Sequence, residues 1–151
     1  MKILVLCHGN INRSPLCAAV LAEWFEVRSA ALKPNARGRA TRKMREAALD
    51  RGYNLDEHRT HEVTREDLEW ADRVIYMDQG NYKRLVQRLD VEGLEVDRSC
   101  LAAWTQPLQE RIPDPNFYRG SSPEFQAVVD MIIQASKNFA AMVYTADPEQ
   151  Q

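Results

Sequence analysis

Two residues able to do chemistry bracket one short segment, Cys7-His8-Gly9-Asn10-Ile11-Asn12-Arg13. A cysteine thiolate is a nucleophile. An arginine guanidinium is a planar fork of donors matched to two phosphate oxygens. The apolar run Ile3 to Leu6 leads into the cysteine and a helix-like pattern follows the arginine, so the segment is a turn from strand to helix. Successive backbone N–H groups curling in such a turn form an anion-binding concavity, and the positive end of the following helix reinforces it. Gly9 and Asn10 adopt left-handed backbone angles at least cost. Ser14 can donate its hydroxyl to the thiolate. A thiolate held beneath a bound oxyanion suits phosphoryl transfer to sulfur.

The elements that must position this loop alternate between strand and helix. Lys2 to Leu6 reads as a strand buried on both faces. Ser14 is placed to cap a helix with Pro15 at its first position, and Cys17, Val20, Leu21 and Trp24 form its inward stripe. Val27 to Leu32 is a second strand. Ala40, Met44, Ala47 and Ala48 mark a second helix that Gly52 ends. Thr64 and Asp67 read as a capping pair for a short helix. Arg73 to Met77 is a third strand ending at Asp78, Asn81 to Leu89 a helix, and Leu94 to Leu101 a fourth strand. Ser121, Ser122, Pro123 and Glu124 open a last helix whose apolar face runs through Phe125, Val128, Val129, Ile132, Ile133, Met142 and Val143.

This order predicts an α/β fold: a single three-layer domain over residues 1–151, with a four-stranded parallel sheet, helices on both faces and a phosphate-binding loop after the first strand. Ligands in such folds sit beyond the carboxyl ends of the strands, where Cys7 and Asp78 both stand.

The composition bounds the function. Hydrophobic residues make up 44% and charged residues 28%, with 20 Lys and Arg against 22 Asp and Glu for a net charge of −2. That balance gives no drive toward nucleic acid or acidic membranes. No apolar run is long enough to span a bilayer and MKILVLC is too short for a signal peptide, so the expected location is cytoplasmic. Cys7, Cys17 and Cys100 are an odd set without paired spacing, which predicts neither a disulfide framework nor a zinc site. Cys17 and Cys100 read as simple buried thiols. The basic stretch at residues 36–45 reads as a solvated helix face with an Arg42–Glu46 pair.

CHGNINRSP, a Cys-x5-Arg-Ser loop close to the N-terminus, resembles the signature of the low-molecular-weight protein tyrosine phosphatase family. HRTHEVTREDLEWADRVIYMDQGNYKRL at residues 58–85 and RIPDPNF at residues 111–117 are similar to that family's histidine segment and Asp-Pro loop. The resemblance implies a metal-independent phosphomonoester hydrolase without cofactor, acting on a phosphorylated protein or a small phosphate ester and releasing inorganic phosphate. It implies Cys7 as the nucleophile of a phosphocysteine intermediate, Arg13 as the phosphoryl ligand together with the amides of His8 to Asn12, and Asp114 as general acid and then base. Asn10 would hold the loop's strained conformation with His58 bonded to it, and Asp78 would support the site. Pro113 and Pro115 stiffen the backbone around Asp114.

The chain also departs from that pattern. Asn12 occupies a position where the family usually carries a second cysteine, and the family's Asp-Pro-Tyr-Tyr becomes Asp114-Pro115-Asn116-Phe117. The segment Ala31 to Asn35 has no aromatic residue, so Lys33, Phe117 and Tyr118 are the candidate cleft residues. In the family, isoleucine at the position of Ile11 goes with phosphotyrosine and threonine with phosphoarginine. A specialised phosphatase for a small or non-protein ester, an arsenate reductase-like activity and a non-catalytic phospholigand-binding module are the alternatives. Because Asn12 offers no thiol, peroxide is expected to oxidise Cys7 without forming a disulfide inside the loop. Peptide mapping of the oxidised protein checks this, and a Cys7–Cys17 link would show that Cys17 substitutes for the family's second cysteine and would overturn the expectation.

Overall fold

The computed structural model describes residues 1–33, 38–88, 94 and 96–146. Four parallel strands, β1 (Lys2–Cys7), β2 (Glu26–Ala31), β3 (Arg73–Tyr76) and β4 (Asp97–Cys100), form one sheet in the order β2-β1-β3-β4. Five helices connect them: α1 (Arg13–Leu21), α2 (Arg42–Asp50), α3 (Arg65–Trp70), α4 (Gln79–Arg88) and α5 (Pro123–Ala146). The predicted three-layer arrangement is present.

Alternation along β1 explains the layers. Ile3, Val5 and Cys7 enter the larger core with α1, α2 and α5, whereas Leu4 and Leu6 enter a smaller one with Leu68 of α3 and Leu85 of α4. Both sets are fully or almost fully buried, so β1 reads as a continuous apolar run. Phe139 of α5 anchors the larger core, edge-on to Phe25 at 6.1 Å and to Trp104 at 5.3 Å between centroids.

The chain leaves β1 for β2 on one side, then crosses over β1 to place β3 on the other. The crevice beyond the carboxyl ends of β1 and β3 is therefore the topological switch point, where this class of sheet binds ligands.

Several sequence expectations shift. Helix α1 begins at Arg13 after Asn12, so Ser14 lies inside the first turn rather than capping it, and Pro15 follows at the third helical position. Trp24 lies beyond the end of α1. The fourth strand shortens to Asp97–Cys100 because Leu101 opens a 3-10 turn, Leu101–Trp104. Met142 faces solvent at 61% exposure. Pro34, Asn35 and Leu89, which the sequence reading used, lie outside the described residues.

The capping signals that rest on neighbouring residues match. Thr64 and Asp67 form a reciprocal capping box on α3, and Ser122 Oγ accepts the Phe125 N–H at 3.1 Å. Gly52 ends the α2 segment at φ +89, a conformation that suits glycine. Phe139→Ala is expected to cost about 3–5 kcal/mol through lost burial and the cavity left behind. Urea denaturation measures it, and a cost below about 1 kcal/mol would show that the core collapses into the space.

Candidate active site

The loop after β1 is built around Asn10, which has φ 55, the left-handed value that asparagine tolerates best after glycine. Among the described residues no other non-glycine has a positive φ. Gly9, the other candidate for such a conformation, is not among the positive-φ residues.

Asn10 is fully buried, and each of its polar groups is satisfied. Its Nδ2 donates to Ser14 Oγ at 2.6 Å and to Ser29 Oγ at 3.0 Å, while its Oδ1 accepts the His61 N–H at 3.2 Å. A backbone N–H can only donate, which fixes the amide orientation. His58 Nε2 lies 2.7 Å from the Asn10 carbonyl oxygen. A carbonyl only accepts, so His58 carries its proton on Nε2. The strand-like pairing of residues 61–63 with Ala31 brings both histidines here, through Ala31 N to His61 O at 2.6 Å and Val63 N to Ala31 O at 2.9 Å.

The backbone N–H of Asn10 points at Cys7 Sγ from 3.2 Å, and Ser14 Oγ lies 3.0 Å from the same sulfur. Since Ser14 Oγ already accepts from Asn10, its own hydrogen is free to point at sulfur. Two donors thus face the Cys7 sulfur. The other two thiols differ. Burial pushes Cys17 up to about 12, and burial likewise raises Cys100. Cys17 accepts a hydrogen bond from Ser136 Oγ at 3.3 Å and sits in the main core. Both retain the thiol form at neutral pH.

Arg13 is 4% exposed, and its Nη1 donates to the Ile112 carbonyl at 3.0 Å and to Asp78 Oδ2 at 3.4 Å. Ile112 is in turn tied to the end of β3 by its N–H to Met77 O at 2.9 Å. Among the described residues both contacts fall on Nη1, so Nε and Nη2 remain as the edge of the fork suited to an oxyanion.

One cleft is lined by Cys7, His8, Gly9, Ile11, Asn12, Arg13, Asp114 and Asn116. Asp114 heads the 3-10 turn Pro115–Phe117, and its Oδ1 accepts the Asn116 N–H at 2.9 Å. Arg84 Nη1 donates to His8 Nδ1 at 3.4 Å. His8 is held below its ordinary pKa by partial burial and by the nearby Arg84, with Lys33 and Arg13 adding to the effect and Asp114 opposing it. Phe117 and Tyr118 sit outside the cleft lining, Phe117 projecting into solvent at 88% exposure. The exposed Lys33 meets the loop through its N–H to His8 O at 2.9 Å.

Sequence reasoning missed Ser29, Thr41 and Lys43 as site neighbours. Thr41 caps α2 by accepting the Met44 N–H, and nothing in the local sequence marks Ser29.

Fold and loop together define a doubly wound α/β protein with a phosphate-binding cradle over a cysteine. A family model, low molecular weight phosphotyrosine protein phosphatase, matches residues 2–148. The chain is 28% identical over 143 residues to the low molecular weight protein-tyrosine-phosphatase Etp of Escherichia coli K12, covering 92% of each chain. It superposes on a low molecular weight phosphotyrosine phosphatase of Vibrio cholerae with a TM-score of 0.84 at 22% identity, covering 95% of this chain and 96% of the other. It superposes on the YwlE arginine phosphatase of Geobacillus stearothermophilus with a TM-score of 0.83 at 23% identity, covering 99% and 97%. The chain belongs to the low-molecular-weight phosphotyrosine protein phosphatase family.

Burial lowers the pKa of His58 from its ordinary value of 6.5, with the hydrogen bond to Asn10 opposing and Arg59 adding to the decrease. The unfolded chain therefore takes up this proton at a higher pH than the fold does. The stability so contributed is present above pH 6.5 and is lost as pH falls through the lower folded value. His8 contributes with the same sign. The urea midpoint of the wild type is expected to fall between about pH 7.5 and about pH 5.5, and to fall less in His58→Gln, which keeps a donor for Asn10. Equal slopes would show that His58 titrates alike folded and unfolded.

Proposed function

We propose that this protein is a cysteine-dependent phosphomonoester hydrolase that acts on tyrosine phosphate in proteins. The observation that carries the reading is that one cleft is lined by Cys7, Arg13 and Asp114 together. The Cys7 thiolate attacks phosphorus: the S–P bond forms, the P–O bond to the leaving group breaks, and that oxygen takes the electron pair. Asp114 gives the leaving oxygen its proton. Arg13 and the loop amides of His8 to Asn12 hold the phosphoryl oxygens as their charge spreads. Asp114, now a carboxylate, takes a proton from water. The water oxygen attacks phosphorus, the P–S bond breaks, and inorganic phosphate leaves with the thiolate restored.

Ser14 and the Asn10 N–H stabilise that thiolate as nucleophile and as leaving group. Asn10, His58 and Asp78 keep the loop and Arg13 in place. No metal ion or cofactor takes part in these steps, and the chain works in the cytoplasm. Among the described residues no helix is long and apolar enough to cross a membrane.

Tyrosine as the substrate residue is supported by the family and by Ile11 in the loop. The polar wall made by Asn116 favours a second reading, a phosphate ester whose leaving group carries hydrogen-bonding groups. Cys17 is buried in the core and Cys100 is half-buried, and burial raises the pKa of both, which speaks against the cysteine relay that arsenate reduction needs.

With a chelator present, the wild type is expected to hydrolyse phosphotyrosine peptides. Cys7→Ser should remove turnover, and Asp114→Asn should lower kcat about 10²- to 10³-fold. Full activity in Cys7→Ser would overturn the mechanism, and preference for a small polar ester over the peptides would select the second reading.

A further inference from the structure

Asn12 is the residue before α1, yet its side chain makes no capping bond to that helix. It is 3% exposed, and both ends of its amide are committed elsewhere. Its Oδ1 accepts the Thr41 hydroxyl at 2.5 Å. The Thr41 oxygen itself accepts the Met44 N–H at 3.3 Å, so the threonine hydroxyl both caps α2 and holds Asn12. With Oδ1 on Thr41, Nδ2 turns toward the Asp114 turn, where it donates to Asn116 Oδ1 at 3.4 Å.

Asn116 is the residue whose N–H holds Asp114 Oδ1 at 2.9 Å. A continuous path therefore runs from the cap of α2 through the floor of the phosphate loop to the carboxyl of Asp114. Helix α2 holds the same turn from its backbone side: Lys43 Nζ donates to Asn116 O and to Tyr118 O, each at 2.7 Å. Gly120 lets the chain pass, since a Cβ there would lie 2.9 Å from Lys43 Cβ.

We propose that Asn12 and Asn116 form a clamp that sets the position of Asp114 over the phosphate loop. Asn12 and Asn116 are positioning residues for proton donation to the leaving group. Two departures noted separately in the sequence, Asn12 in the loop and Asn116 after the Asp-Pro pair, are thereby one device. The proposal rests on the phosphatase reading, because it acts through Asp114 as the acid.

General-acid help matters most when the leaving group is a poor one, which gives a readout that a merely structural defect would not move. The test compares kcat/KM for p-nitrophenyl phosphate, a good leaving group, with phenyl phosphate, a poor one. The quantity read is the ratio of the two in wild type, Asn12→Ala, Asn116→Ala, the double variant and Asp114→Asn. Asp114→Asn is the reference and should raise the ratio most. Each asparagine variant is expected to raise it about fivefold or more, and the double variant no further than either alone, as for residues acting in one path.

A common loss on both esters, leaving the ratio at the wild-type value, would overturn the clamp. If Asn12→Ala does not fold, Asn116→Ala, a change at an exposed residue, decides by the same ratio. A ratio that Asp114→Asn leaves unchanged would overturn the acid reading and the clamp with it. A ratio raised by Asp114→Asn and by neither asparagine variant would overturn the clamp alone.

Discussion

Everything in the site depends on holding Asn10 in a left-handed conformation inside the protein. An L-residue there carries a steric cost on the order of 1 kcal/mol, and a buried amide costs more if any of its groups lacks a partner. Here two serines take both Nδ2 hydrogens, His61 supplies a donor to Oδ1, and His58 supplies one to the carbonyl. The remaining N–H is thereby aimed at Cys7 Sγ. The hydrogen bonds offset the strain, and the strain curls the loop.

Charge follows from that geometry. A guanidinium as buried as Arg13 must be compensated, and Asp78 with the Ile112 carbonyl does so on one side. The Nε and Nη2 edge on the other side is the one that the proposed mechanism gives to the phosphoryl oxygens. The helix α1 points its positive end the same way, because it starts at Arg13 directly after the loop. Cys7 and Cys17 are ten residues apart in sequence, yet two donors surround one sulfur while the other lies against α5 with the proton retained. The difference lies in the surroundings and not in the thiol.

Much of this was legible along the chain, because the signals are local. Cys7 and Arg13 lie within one loop, and the alternation of apolar runs with capped helical patterns already orders the layers. The misreadings have a common cause. Ser14 next to Pro15 looks like a cap by its neighbours, but its hydroxyl is drawn inward to Cys7 and Asn10, a contact that the cap pattern does not encode. Leu101 continues an apolar strand pattern until a 3-10 turn under α5 claims it. Phe117 was a candidate cleft residue from its place in the family's Asp-Pro pattern, and the short turn instead swings it outward.

What the sequence determined by itself is the chemistry within reach of one loop and the kind of sheet that would carry it. Only the tertiary structure decided what holds that loop and what brings the Asp114 turn to it. Asn12 and Asn116 are separated by 104 residues, and His58 and Asn10 by 48. Contacts at such separations have no periodicity or cap pattern to announce them. They exist because crossing over β1 brings the ends of β1 and β3 to one crevice, where buried polar groups must find partners from whatever segments the fold delivers there.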